Sequence, residues 1–488
     1  MPTTTVIGSG FSALSAATSL ADKGHEVTVL EKNDSPGGRA RKFETDGFVF
    51  DMGPSWYWMP DVFEKYFERF GKSPSDYYEL KRLDPSYRVY FEDECMDIPA
   101  NFEQLQALFE AKEKGAGARL ASFLEDAAIK YDAGINDLVH RPSLSPLEFI
   151  DWKVIKGLFQ LDLFSNFKDF ARKYFSDPKL LSIIEFPVLF LGAMPKETPA
   201  LYSLMNYADL KLGTWYPMGG MHKIVEGMVA LAKEKGVKFQ FNQNVERIYE
   251  DGDMKVVTPS GTVSSDYVVG GADYAHIDQA LLDPADRQYS TAYWDKRVMA
   301  PSSLLFYVGV NKRVKNLLHH NLFFDADFNA HAEEIYKSKQ WPKHPLFYVC
   351  APSVTDPSVA PEGYENLFFL IPIAAGIDGD SDEVRERYFR MILERITKQT
   401  GEDISENIVY KRSYAVKEFV EDYNAFKGNA YGLANTLLQT AFLKPRIKHK
   451  KLKHLYFTGQ LTAPGPGVPP SLISGQVVAD HIVKHNLN

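Results

Sequence analysis

Three observations predict an α/β fold. Val6-Ile7-Gly8-Ser9-Gly10-Phe11-Ser12-Ala13 passes from a β-branched run through glycines into a small-residue helix, and the chain returns as Val27-Thr28-Val29-Leu30-Glu31. A second β-branched run, Tyr267-Val268-Val269, ends in Gly270-Gly271-Ala272-Asp273. Four well-separated apolar runs, 304–310, 346–350, 367–373 and 408–413, alternate with polar loops and predict a second, mostly antiparallel sheet.

The first of these is a strand, a tight turn, a helix and a strand ending in a carboxylate. Gly8 lets the chain turn, Gly10 lets the backbone approach a pyrophosphate, and Ala13 stands where helix and strand pack closely. Phe11 and Ser12 open the helix, whose unpaired N–H groups and partial positive charge favour phosphate. Glu31, followed by Lys32, lies about twenty residues on and can accept both hydroxyls of an adenosine ribose. A carboxylate there repels a 2′-phosphate, so NADP is disfavoured.

A chain of 488 residues has room for two or three domains. Its 33 Phe and 26 Tyr serve either a large core or an aromatic-lined path for a long apolar ligand. A net charge of −9 argues against nucleic acid. Cys95 and Cys350 provide neither a disulfide framework nor metal-ligand spacing, so no metal is expected and a reducing, cytoplasmic setting fits. The first strand begins too near Met1 to leave room for a signal peptide, and no run of about 18 apolar residues occurs.

The nucleotide-binding domain is expected to be discontinuous, from 1–85, 214–275 and 430–488. A substrate domain takes 86–101 and 276–429, and a helical region takes 102–213. Within that region, the stretch from Phe149 to Phe159 carries bulky groups at helical spacing with interleaved lysines, and Phe164, Phe167, Phe170, Tyr174 and Phe175 extend it. This suits a helix in a lipid interface or one packed on its own domain. The closing helix is expected from about Ser471.

Several features favour FAD over NAD. Gly37-Gly38-Arg39 provides a second glycine turn beside the pyrophosphate, with an arginine to neutralise it. Gly53-Pro54-Ser55 offers a bend that can approach an isoalloxazine ring. Gly459, and the loop Gly465-Pro466-Gly467-Val468-Pro469-Pro470 before the last helix, can aim N–H groups at the flavin's pyrimidine edge. No second G-x-G-x-x-G unit follows for NAD(P)H, which leaves oxygen or a quinone as electron acceptor.

With these stretches, and with Phe190–Pro195, Trp215–Met221, Asn244–Ile248, Gly428–Gly432 and Leu455–Ile482, the chain resembles the bacterial FAD-dependent carotenoid desaturases of the phytoene desaturase type. These lie within the amine-oxidase-like flavoprotein superfamily. The resemblance implies a Rossmann-type FAD-binding domain, a mixed or antiparallel substrate domain and a helical membrane-facing region. It places Gly8, Gly10, Glu31, Gly38, Arg39 and Ser55 on FAD, Val245 at the adenine, and Gly459, Gly467 and Val468 at the flavin. Thr462-Ala463-Pro464 and Leu443-Lys444-Pro445 depart from the family's usual Thr-His-Pro and Phe-Arg-Pro. The altered loop favours a 3,4-desaturase of a 1′-hydroxylated carotenoid (γ-carotene type), with phytoene desaturase as the alternative.

Desaturation sends a hydride to the flavin and a proton elsewhere. Asp151, among apolar residues, is the candidate base, with His140 and Arg141 upstream. Trp56 and Trp58 are candidate walls of the substrate channel. A polyene without aqueous solubility must come from the bilayer, so a peripheral, monotopic protein on the inner face of the cell membrane is expected, touching lipid through Phe159 and Phe164. The rivals are a flavin amine oxidase and a non-enzymic prenyl-binding relative.

Overall fold

The structure, a computed structural model, describes residues 1–149, 165–189 and 192–486. Its first sheet has five strands, all parallel, in the order Leu455–Phe457, Tyr267–Gly270, Thr3–Ile7, Glu26–Leu30, Lys238–Gln240. The central strands are β-branched runs because both faces are covered. On one face the helix Phe11–Asp22 packs on the last helix, Val468–Asn486. The first helix is built of Ala and Ser so that this neighbour can come close. A Cβ on Gly475 would stand 2.2 Å from the Ser12 carbonyl oxygen, and Ser15 Oγ donates to the Leu472 carbonyl at 2.7 Å.

The last helix begins at Val468, three residues before the expected Ser471. Pro469 and Pro470 sit in its first turn, where a missing N–H breaks no helical hydrogen bond and the fixed φ suits the helix. A three-stranded antiparallel meander, Arg247–Asp251, Asp253–Thr258 and Gly261–Ser265, follows the Val245 turn.

The second sheet has seven strands, in the order Ile408–Tyr414, Ser302–Val310, Glu365–Ile373, Phe347–Cys350, His320–Phe323, Tyr87–Tyr90, Cys95–Ile98. All neighbours are antiparallel except His320–Phe323 with Tyr87–Tyr90. One face packs on the helix Asp382–Thr400, whose Tyr388, Phe389, Ile392 and Ile396 share a core with Phe306 and Phe369. The opposite face carries Leu305, Leu370, Tyr348 and Leu322 in one register row, and Tyr307, Phe368, Cys350 and His320 in the next. Tyr307 Oη donates to the Met52 carbonyl at 2.7 Å, which ties this face to the turn after Asp51.

Between 102 and 213 the described elements are mainly helical: Phe102–Lys112, Ala116–Asn136, Phe167–Ala171, Pro178–Leu189 and Leu204–Leu210. Phe123, Phe170 and Phe175 are buried in the core rather than presented outward. Among the described residues, no helix is long and apolar enough to cross a membrane.

Candidate active site

The first strand ends at Gly8, whose φ of 90° suits glycine; a Cβ there would meet the Ala272 backbone nitrogen at 3.3 Å. Gly10 is needed for a different reason. Its φ of −73° and ψ of 176° are open to any residue, yet a Cβ would find no heavy atom within 4 Å. The room in front of it forms a cradle at the start of the helix Phe11–Asp22, which no side chain among the described residues caps.

Further turns close on this cradle. A Cβ on Gly38 would lie 3.3 Å from Gly10 Cα, one on Gly53 would lie 2.4 Å from the Arg39 carbonyl oxygen, and one on Gly459 would lie 3.1 Å from Ser12 Oγ. Beginning, middle and end of the chain thus line one cavity of about 450 Å³, with Val245 on one side and Gly467, Val468 and Pro469 on another.

Glu31 lies on this wall and is 4% exposed. Its carboxylate accepts the Ser9 N–H at 2.8 Å and Ser9 Oγ at 2.5 Å, and the Asn33 N–H at 2.9 Å and Nδ2 at 3.0 Å. Ser9 and Asn33 thus fix the Glu31 carboxylate on the cavity wall. Lys32 is also on the wall, but its ammonium reaches away to the Glu421 carbonyl and, at 3.2 Å, to Asn424 Oδ1. Arg39 donates to the Asn429 carbonyl at 3.1 Å and, with the Gln460 amide turned so that its oxygen faces the guanidinium, to that oxygen at 3.0 Å; its buried Nε has no hydrogen-bond partner among the described residues. Asp273 lies nearby; burial raises its pKa and the Arg39 charge opposes that rise.

Beyond Gly53, Pro54 and Ser55 the wall turns apolar and aromatic. Trp56 and Trp58 stand 5.1 Å apart, and Trp58 Nε1 donates to Thr214 Oγ1 at 2.9 Å. Phe186 and Met205 continue the wall from the helical region, and the sheet row Leu305, Leu370, Tyr348, Leu322 forms the opposite side. Phe324, Phe328, Ile335 and Phe347 lie further along.

The cavity brings together Phe11 and Ser12 with the predicted glycines, Glu31, Lys32 and Arg39. Ala13 is not on the wall: it is fully buried against the adjacent strand, where a Cβ on Gly271 would stand 2.6 Å from its own Cβ. Its part is the close packing of helix and sheet, not cofactor contact. Asp151, Phe159 and Phe164 lie outside the described residues. His140 and Arg141 are off the wall, and Arg141 pairs with Asp137 at 2.8 Å. The sequence reading missed Asp273, Gln460, Ser303, Tyr431 and Tyr348 as site residues. Gly270-Gly271-Ala272-Asp273 was a usable signal, because a glycine pair ending a parallel strand beside the first one faces the same crevice.

The room beside Gly10, the uncapped helix start and the buried Arg39 Nε, orphaned among the described residues, all fit a pyrophosphate, and Glu31 and Val245 fit its adenosine. The family model described as flavin-containing amine oxidoreductase matches residues 11–483. The chain belongs to that family. The chain is 43% identical to a carotenoid 3,4-desaturase of Haloarcula japonica, over 98% of both chains. It is 32% identical to a ζ-carotene-forming phytoene desaturase of Myxococcus xanthus, over 98% of this chain and 93% of that one. A crystal structure of an oxidoreductase from Methanosarcina mazei shares the fold, with a TM-score of 0.63 at 16% identity over 98% of this chain and all of that one. This flavoprotein is an FAD-dependent oxidoreductase, and FAD is the dinucleotide its cradle accommodates.

Proposed function

We propose that the protein is a carotenoid desaturase that adds a 3,4 double bond to a 1′-hydroxylated carotenoid. The observation that carries this reading is the continuity of one wall: the dinucleotide cradle runs without a break into a slot lined by Trp56, Trp58, Phe186, Leu305 and Leu322. Such a slot orients a polyene by shape, and its apolar lining disfavours water beside a developing cation. Bound FAD supplies a two-electron hydride acceptor. The activities of the Haloarcula japonica and Myxococcus xanthus relatives support the reaction class, and the identity to the 3,4-desaturase supports the regiochemistry over phytoene desaturation.

The same reading places the protein on the cytoplasmic face of the membrane, peripherally bound, with oxygen or a quinone receiving the electrons. Val298, Leu438, Phe442 and Leu443 are all exposed. Gln439 gathers them by accepting the Val298 N–H at 2.9 Å and donating to the Val298 carbonyl at 2.8 Å. An apolar cluster of this kind suits a lipid surface.

Expression in cells that accumulate either phytoene or 1′-hydroxy-γ-carotene tests the reaction. A longer-wavelength pigment from the hydroxylated substrate is expected. Conversion of phytoene to lycopene would overturn the 3,4 assignment in favour of phytoene desaturation.

A further inference from the structure

Tyr348 is the one hydroxyl in the row Leu305, Leu370, Tyr348, Leu322, and all four residues border the cavity that holds Gly53, Pro54 and Ser55. Its phenol does not end in apolar space. Tyr348 Oη lies 2.6 Å from Nδ1 of His320, in the next register row on the same sheet face. His320 is fully buried, and the Trp56 ring stacks on its imidazole at 4.0 Å with an interplanar angle of 11°. Its Nε2 has no partner among the described residues. Burial pushes the imidazole pKa well below the usual histidine value, so the resting ring is neutral and carries one proton. With that proton on Nε2, the Nδ1 lone pair faces the phenol and accepts its O–H.

We propose that Tyr348 takes up the proton released by desaturation while passing its own phenolic proton to His320. The proposal rests on the desaturase reading. One carbon's C–H bond would break with both electrons, bound FAD supplying the two-electron acceptor. The neighbouring carbon's C–H bond then breaks, its electron pair becomes the new π bond, and its proton bonds to Tyr348 Oη as the phenolic proton moves to His320 Nδ1. The products are the alkene, a neutral phenol and an imidazolium.

Two features make so weak a base sufficient. A C–H bond beside a polyene cation is strongly acidic, so the acceptor has only to be correctly placed. The imidazolium forms as negative charge arrives at the flavin, and the Trp56 face already lies against it. His319, at 4.5 Å between ring centroids, holds its Nδ1 against Thr355 Oγ1 at 2.8 Å rather than against Tyr348.

The tautomer is read first, by nitrogen-15 NMR of the histidine-labelled holoprotein. His320 is expected as the Nε2–H form, with an Nδ1 signal that shifts in Tyr348→Phe. An Nδ1–H form would overturn the relay, since that ring could only donate to the phenol. The kinetics are read by anaerobic bleaching of the flavin with carotenoid-loaded vesicles. Tyr348→Phe and His320→Asn should each slow bleaching about 100-fold, and Tyr348→Phe should lose the solvent deuterium isotope effect shown by the unchanged protein. Bleaching by Tyr348→Phe at the unaltered rate would sink the relay and leave the desaturase reading standing. If the unchanged protein bleaches with no carotenoid, the desaturase reading itself falls. His319, His320 and Cys350 place one ligand atom each within 4.8 Å of one another. Stoichiometric zinc in the purified holoprotein would therefore also overturn the proposal by assigning the imidazoles to a cation.

Discussion

Tyr87 Oη donates a 2.9 Å hydrogen bond to Asp209 Oδ2, and both side chains are buried, at 0% and 1% exposure. The pair stands behind Trp56, whose ring lies 5.5 Å from that of Tyr87. Burial raises the Asp209 pKa to about 7, and the Tyr87 hydrogen bond only partly offsets it. A carboxyl whose folded pKa exceeds its unfolded one binds its proton more tightly in the native state. Its favourable contribution is complete below pH about 4 and is lost as pH rises towards 7. Asp209→Asn keeps an acceptor for Tyr87 without the charge. Urea denaturation should find it close to the parent at pH 4 and more stable by about 2–4 kcal/mol at pH 8.

Gly10→Ala separates cradle from fold. Nothing within 4 Å opposes the added methyl, and the backbone angles are ordinary. The apoprotein should melt at the temperature of the parent, while FAD affinity, followed by flavin fluorescence, drops about tenfold or more. Gly8→Ala should instead lower apoprotein stability by about 1–2 kcal/mol, because its φ of 90° strains any other residue.

Gly475→Ala should be among the most damaging single-methyl changes. The new Cβ would lie 2.2 Å from the Ser12 carbonyl oxygen and 2.7 Å from the Ala16 nitrogen, both of them backbone atoms that cannot turn aside. Overpacking of this kind costs about 1–3 kcal/mol or more. It would appear in thermal denaturation as a loss in stability together with weaker FAD retention, since the helix pushed aside, Phe11–Asp22, is the one that carries Ser12 to the cavity.

The double variant Leu438→Asp and Phe442→Asp should partition less into anionic liposomes, by about tenfold or more, because two side chains of roughly 1.5–3 kcal/mol burial value are replaced by charge. Flotation assays read this directly. Unchanged partition would remove Val298, Leu438, Phe442 and Leu443 from the lipid-facing surface.

The parallel sheet was legible in the sequence because its three central strands, Thr3–Ile7, Glu26–Leu30 and Tyr267–Gly270, are short β-branched runs, and Gly8, Gly10 and Glu31 keep fixed spacing around the turn. His320–Phe323 was not legible, since four residues beginning with His and Asn carry no alternation. The start of the closing helix was misplaced because prolines read as loop, although they fit a first turn. Tyr348 and His320 meet only through strand pairing across 28 residues, and no local pattern announces a register. Ala13 packs helix against strand, as its small side chain after the glycine turn predicts, and lies off the cavity wall.

The cradle draws on Gly8–Ser12, on Gln243–Val245 and on Gly459–Ser471. During synthesis the opening turn leaves the ribosome long before its partners exist, so a nascent chain has only a fragment of the grip. Flavin capture is therefore a late event in biogenesis. Once captured, the cofactor acts as a staple between distant stretches of chain, and unfolding either flank must expel it. A cell short of riboflavin would accumulate a looser, protease-sensitive polypeptide rather than an inactive but equally robust one.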